Sequence, residues 1–128
     1  MNAVELLLKM DKDKVKAIPT KQVEVKRLSE IAGEPFTVTL KAVSGNKWSD
    51  IVETIGADAG NYKSSKHLLL VGMEDPKLSD HDLQEAYGAV TPLDLVEKLF
   101  LAGEIMSLAA EVTDLSGLGD DALEEVKN

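Results

Sequence analysis

The sequence predicts an α+β fold, a mainly helical single domain in which one antiparallel β-hairpin is packed by four to five helices. Two stretches alternate apolar and polar residues, as strands with one buried face do. Most of the remaining chain has apolar residues at helical spacing, separated by capping residues and glycines. At 128 residues the chain has the length of one ordinary domain and can bury a core without a disulfide or a metal.

The N-terminal segment predicts a short helix over residues 3–9. Asn2 and Glu5 have the spacing of a capping box ahead of the apolar run VELLL. The charged segment DKDKVK follows, and together with Pro19 it ends this helix before the first strand.

Two alternating segments predict the hairpin. In QVEVKRL (22–28) two valines alternate with polar residues, and in FTVTLKAV (36–43) four apolar residues do so. Gly33 and Pro35 lie between the two segments as turn residues. Because two strands alone are marginally stable in water, helices are expected to cover the apolar face of the hairpin.

Two helices are predicted directly after the hairpin. The first is indicated by apolar residues at i, i+3, i+4 and i+7, namely Trp48, Ile51, Val52 and Ile55. Gly56 is the expected end of that helix. The second spans residues 61–72 and contains the apolar run LLLV.

Two further helices follow toward the C-terminus. Ser79 is the expected cap of a short helix that runs through Tyr87. Thr91 is the expected cap of a long helix, and Pro92 stands at its first position, where a missing N–H costs least. This long helix is predicted to run without interruption to about Leu115.

The long helix is apolar over a wide arc, roughly 200°, whereas a surface helix usually has an apolar arc only somewhat wider than ~100°. One apolar stripe contains Leu95, Leu99, Ala102 and Met106, and a second contains Leu101, Ile105, Leu108 and Val112. One stripe can pack on the hairpin while the second meets a partner or a second copy. The alternative is that both stripes are buried within one subunit, as in the central helix of a small domain.

Charge is distributed unevenly along the chain. Residues 1–66 carry eleven Lys and Arg against nine Asp and Glu, whereas residues 67–128 carry three against fourteen, a net charge of −11. A surface this acidic repels phosphate, so nucleic acid is not expected as a partner. The charge either keeps the protein soluble or steers it toward a basic partner.

No motif for catalysis or metal binding is apparent. The absence of cysteine excludes disulfides, cysteine–zinc sites and cysteine nucleophiles, and no phosphate-binding or dinucleotide-binding loop is present. His81 stands between Asp80 and Asp82, but adjacent helical residues point about 100° apart and do not converge on one ion. His67 is expected to be packed or exposed rather than catalytic. We therefore expect no catalytic residue, no cofactor, no metal and no enzymatic activity.

The sequence gives no indication of a membrane segment. The longest apolar runs, such as LLLVG at 68–72, are far shorter than the ~20 residues that a membrane span needs. The first residues also lack the basic start and the cleavage site of a signal peptide. A soluble, intracellular protein without a membrane partner is the expectation.

The last residues are expected to form an acidic, flexible tail. Residues 118–128 contain only Leu118, Ala122, Leu123 and Val126 as apolar groups. These groups are too few to offset an ordering cost of ~1–2 kcal/mol per residue. The expected organisation is therefore a domain at 1–117 followed by a tail at 118–128.

Four segments in order resemble a known family. IPTKQVEVKRLSE (18–30) followed by FTVTLKAVS (36–44) resembles the N-terminal signature of XkdN-like phage tail assembly chaperones, from phages and prophage-like elements of Gram-positive bacteria. LSDHDLQEAYG (78–88) followed by LVEKLFLAGEIMSLAAEVTDLSG (95–117) resembles the C-terminal signature of that family. The order and spacing of the segments also agree, and the likeness covers most of residues 2–117.

The resemblance implies a non-enzymatic assembly chaperone. Such a protein binds the tape measure protein, keeps this very long helical protein soluble and helps to recruit tail tube subunits around it. It acts in the host bacterial cytoplasm and is absent from the mature virion. Two alternatives remain open, namely a structural tail or neck component retained in the particle and an acidic regulatory binding module.

The resemblance also gives the wide apolar arc of the long helix a role. A chaperone for an amphipathic helix needs an apolar surface beyond its own core, as helix-in-groove recognition requires. The residues expected to bind a partner are those of the second stripe: Leu101, Ile105, Leu108 and Val112. The same surface could also form a homo-oligomer.

Overall fold

The computed structural model describes residues 1–55, 61–119 and 122–126. In these residues eight helices and three strands follow one another as α1 (Ala3–Lys9), α2 (Lys12–Lys16), β1 (Thr20–Glu24), α3 (Lys26–Ala32), β2 (Thr37–Lys41), α4 (Gly45–Ile55), α5 (Asn61–Gly72), β3 (Met73–Asp75), α6 (His81–Ala86), α7 (Pro92–Leu99) and α8 (Ala102–Leu115). The predicted class, a mainly helical α+β single domain, is confirmed. The predicted end of α4 at Gly56 lies outside the described residues.

The three strands form one antiparallel sheet in the order β1-β2-β3. Val23 pairs with Val38 between β1 and β2, and Leu40 pairs with Met73 between β2 and β3. The predicted hairpin pairing is confirmed, but the connection contains helix α3 and the third strand was not predicted. Helix α3 ends at Gly33, whose φ of +77° is a conformation that glycine adopts most readily.

The core lies between one face of the sheet and helices α5, α7 and α8. Its largest fully buried side chains come from β2 and from all three helices, and they are Val38, Leu40, Leu69, Leu95, Val96, Ile105 and Val112. The apolar residues of β2 therefore mark the core face of the sheet, as their alternation predicts.

Side-chain caps fix the starts of several helices. Asn2 caps α1 and Thr91 caps α7, each by accepting a backbone N–H from three residues further on, at 2.9 and 3.0 Å. Both caps confirm the predicted positions. Helix α6 differs from the prediction because Asp80, not Ser79, is its N-cap, and the Asp80 carboxylate accepts the N–H of Leu83 at 2.9 Å.

The prediction of one continuous long helix is wrong, because the chain forms two helices, α7 and α8, with a break between them. Phe100 (φ −122°, ψ 146°) and Leu101 (φ −73°, ψ 157°) are extended. At ~100° per residue, the buried residues of α7 and those of α8 would lie on roughly opposite sides of one unbroken helix. The break allows both sets to face the same core, which accounts for the wide apolar arc.

The last residue of α5, Gly72, lies directly against Val112 of α8. A Cβ atom at this position would lie 2.7 and 2.8 Å from the two methyl carbons of Val112 and 3.3 Å from the carbonyl oxygen of Lys41. Val112 is itself fully buried, so it has no free space into which it can move. The absence of a side chain at Gly72 therefore sets the distance between the two helices.

The replacement Gly72→Ala is expected to lower the free energy of unfolding by about 1–3 kcal/mol, as overpacking of a core does. The matched control is Gly103→Ala in α8, where an added Cβ meets no atom within 4 Å. The control should be neutral, or more stable by up to about 1 kcal/mol because alanine favours helix. Chemical denaturation measures both variants, and an unchanged midpoint for Gly72→Ala would contradict the close approach.

Candidate functional site

Most of the predicted partner-binding stripe is buried within the domain. Ile105 and Val112 are fully buried and Leu108 nearly so, and all three belong to the core. Leu101 lies in the break between α7 and α8 and is 57% exposed. The prediction that these four residues form one accessible surface is therefore wrong for three of them. Contact between Leu101 and a partner stays a prediction.

The two histidines and the acidic residues form no evident metal site. Among the described residues, no group of three or more His, Asp or Glu side chains is placed to hold a metal ion. His81 is exposed at the start of α6, and the Nδ1 atom of His67 donates to the carbonyl oxygen of Lys63 at 3.0 Å within α5. In the same part of the chain, no helix is both long enough and apolar enough to cross a membrane.

An apolar groove opens between α3, α6 and the C-terminal end of α7. Its volume is about 440 Å³, within the range of ~300–1,000 Å³ that is usual for binding clefts. Eight of its ten lining residues are aliphatic or aromatic, and the full set is Arg27, Leu28, Ile31, Ala32, Phe36, Pro76, Leu83, Tyr87, Lys98 and Leu99.

Two lining residues of the apolar groove are highly exposed. Ile31 on α3 is 71% exposed, and Tyr87, directly after α6, is 52% exposed. Other lining residues are half-buried and rest against the core, namely Leu28, Phe36, Leu83 and Leu99. The groove therefore exposes to solvent an apolar surface of the kind that binds the apolar face of an amphipathic helix.

An ion pair beside the groove closes the break between α7 and α8. The Arg27 Nη2 atom donates to the Leu99 carbonyl oxygen and to Glu104 Oε1, each at 2.9 Å, and Arg27 Nε donates to Glu104 Oε2 at 3.1 Å. Glu104 Oε1 also accepts the N–H of Leu101 at 2.8 Å. This Arg27–Glu104 bridge satisfies a carbonyl and an amide that lose their helical partners at the break, and it joins α3 to both helices.

The bridge lowers the pKa of Glu104 below its ordinary value of 4.5. The hydrogen bond from Arg27 is the largest cause, partial burial opposes it, and the Leu101 N–H and the charge of Arg27 lower the pKa further. Because the pKa of Glu104 is lower in the folded protein than in the unfolded chain, its carboxylate stabilises the fold at neutral pH. That contribution is lost as the pH falls through the lowered pKa.

A second apolar surface lies on residues 1–19, here called the arm. Every residue of the arm is exposed, and neither α1 nor α2 contains a buried residue. The large apolar side chains that the arm exposes are Met1, Val4, Leu6, Leu7, Leu8, Met10, Val15 and Ile18. Soluble domains rarely leave so many neighbouring apolar groups in water unless they contact a partner. The sequence predicted α1, but no feature of the sequence indicated that this helix would have no buried residue.

Comparison with known proteins identifies relatives at the level of family and fold. The profile of a family described as phage XkdN-like tail assembly chaperone protein matches residues 4–128, which include the predicted tail. No curated protein matches the chain significantly. The crystal structure of the protein YqbN superposes with a TM-score of 0.61 at 17% sequence identity, covering 80% of this chain and 90% of that chain. At this identity the similarity to YqbN concerns the fold alone.

The replacement Glu104→Gln is expected to lower the melting temperature by several degrees at neutral pH, because the amide is a weaker acceptor for Arg27. The difference from the parent should shrink as the pH falls from about 7 through the lowered pKa of Glu104, since the parent carboxylate then becomes protonated. Thermal melts followed by circular dichroism across this range make the measurement.

The matched control is Glu111→Gln, which removes an exposed ion pair with Lys21 whose atoms lie 2.7 Å apart. An exposed pair contributes only ~0–1 kcal/mol, so this variant should melt close to the parent at every pH. A loss for Glu104→Gln that stays the same from pH 7 down to the acid unfolding of the parent would contradict the role given to its charge.

Proposed function

The chain belongs to the family of XkdN-like phage tail assembly chaperones, and from that membership we propose that it binds the tape measure protein of its phage. In this role it keeps the tape measure protein soluble and helps to recruit tail tube subunits around it. The contact is made by the apolar groove, which receives an amphipathic helical segment. The observation that supports this most is the exposure of Ile31 and Tyr87 beside a floor of half-buried apolar side chains.

The physical basis of the proposal is the burial of apolar surface. A long helical protein that has not yet been enclosed by a tail tube exposes apolar stripes, and these associate without specificity in water. A helix laid in the groove would bury its stripe against Ile31, Tyr87 and the groove floor. Recognition of this kind uses anchors at i, i+3 or i+4, and i+7.

The size of the groove fits a contact that can be reversed. A volume of about 440 Å³ admits only a few side chains, so each copy covers a short segment of the tape measure protein. Small interfaces are characteristic of transient complexes, because little surplus remains after the cost of association. A chaperone bound in this way can be displaced as tube subunits arrive.

Charge at the groove adds a preference among helices. Arg27 is engaged by Glu104, whereas Lys98 forms no ion pair within the described part of the chain. An exposed cation beside an apolar surface favours a helix that carries an acidic residue next to its apolar stripe. The proposed partner segment is therefore amphipathic and places an acidic residue beside Lys98, on the α7 side of the groove.

In tail assembly the protein acts at an early and transient stage. It acts without catalysis in the cytoplasm of the host bacterium, and it leaves before the tail is complete, so the mature virion lacks it. Retention in the particle would instead make it a structural component of the tail or neck.

The replacement Ile31→Asp is expected to weaken capture of the tape measure protein about tenfold or more, the effect of losing an interface anchor. Ile31 is 71% exposed, so the variant should fold and melt as the parent does. The measurement is co-expression with the tape measure protein of the same genome, followed by pull-down and titration.

The matched control is Val90→Asp, an equal change at a residue that is 84% exposed and lies outside the groove. Capture by the control should equal capture by the parent. If Ile31→Asp bound as tightly as the control, the groove would not be the site of contact.

A further inference from the structure

We infer that the arm of one copy occupies the apolar groove of a second copy, so that the free protein associates head to tail. The arm consists of residues 1–19, and the groove is the cleft between α3, α6 and α7. The inference rests on the arm, which the proposed function does not use, and it holds whether or not the tape measure protein binds the groove.

The arm and the groove each lack an apolar partner within the described subunit. On α1, Val4, Leu7 and Leu8 have i, i+3, i+4 spacing and form one face, and Leu7 is 56% exposed. A short helix with such a face is marginal in water unless the face is covered. The groove offers apolar surface of the complementary, concave shape.

The arm joins the sheet at the end of β1 that is remote from the groove of its own subunit. Strand β1 runs toward the groove, because Val25, directly after β1, donates its N–H to the carbonyl of the groove residue Phe36 at 3.1 Å. At the other end of β1 the arm follows the strand direction as far as Pro19, whose carbonyl accepts the N–H of Ala42 at 2.9 Å. The arm thus leaves the sheet about 20 Å from the groove end, at ~3.3 Å per strand residue over the six steps from Pro19 to Val25.

Along the arm, an apolar helix is followed by a basic helix. Helix α1 carries the leucines, and α2 carries Lys12, Lys14 and Lys16 against one acidic residue, Asp13. Asp11 serves as the N-cap of α2, where its side chain accepts the N–H groups of Asp13 and Lys14.

The surface of the subunit shows a complementary arrangement, because an acidic depression lies directly beside the apolar groove. Pro76 and Leu83 line both the apolar groove and a neighbouring depression, so the two are continuous. The depression is also lined by Asp75, Asp80 and Asp82. Its one lysine, Lys77, is paired with Glu74 at 3.3 Å. When α1 lies in the groove, the lysines of α2 can therefore lie along this acidic surface, which selects the arm over an uncharged apolar helix.

The resulting contact is heterologous, because each copy donates an arm to one neighbour and receives an arm from another. Such contacts close into rings or continue as open arrays. The arm would also cover the groove in the free protein, and a tape measure helix would have to displace it. Self-association and capture of the tape measure protein would then compete for the same surface.

The test is sedimentation velocity over a concentration series on the full chain and on two variants. Leu7→Asp removes the arm anchor and leaves the groove intact, whereas Ile31→Asp damages the groove and leaves the arm intact. Both residues are exposed in the subunit, so both variants should melt as the parent does. Each variant alone should associate about tenfold more weakly than the parent or remain monomeric, and Val90→Asp should associate as the parent does.

The decisive sample is an equimolar mixture of Leu7→Asp and Ile31→Asp. One intact arm and one intact groove are then available, so the mixture should form a 1:1 heterodimer that grows no further. A mixture that stays monomeric would overturn the proposed arm exchange. A parent protein that is monomeric at every concentration would also overturn it, because the arm would then lie on its own subunit or free in solution.

Capture of the tape measure protein separates this inference from the proposed function. Leu7→Asp should capture it as well as the parent or better, because the competing arm is gone. Loss of capture by Leu7→Asp would make the arm the tape measure contact and overturn the exchange. Normal self-association together with unchanged capture by Ile31→Asp would refute both proposals about the groove.

Discussion

The Arg27–Glu104 bridge is the interaction on which the shape of the helical half depends. Helices α7 and α8 can face one core only if the chain breaks between them, and the break removes a helical partner from the Leu99 carbonyl and from the Leu101 N–H. Arg27 binds the carbonyl and Glu104 binds the amide, while the two side chains hold each other. Without the bridge, a partly buried helix end would carry polar groups without protein partners.

The same bridge connects the core to the proposed binding surface. Arg27 belongs to α3, the helix that also carries Ile31, and both Arg27 and Leu99 line the groove. The hydrogen bonds of Arg27 to Leu99 and to Glu104 therefore fix the position of α3 relative to α7. These bonds form at the break between α7 and α8. A requirement of the core and a feature of the surface thus have one structural cause.

Local signals predicted the elements whose stability is local. Asn2 and Thr91 cap the helices where their spacing indicates, and the alternation in β2 marks the buried face of the sheet. Strand β3 is three residues long and too short to show alternation. The break between α7 and α8 left a signal, an apolar arc too wide for one helix, but the arc fits equally well a helix shared with a partner. Ile31 and α1 are exposed because no other element covers them. The periodicity of a single sequence indicates an apolar face but does not show whether another element covers that face.

Hydrogen–deuterium exchange on the complex with the tape measure protein tests most directly whether the groove is the binding surface. Amide exchange slows where a partner covers or stabilises backbone. Exchange in α3 and α6 is expected to slow on binding, with little change in α8. Protection confined to α8, with α3 and α6 exchanging as in the free protein, would contradict the assignment of the groove.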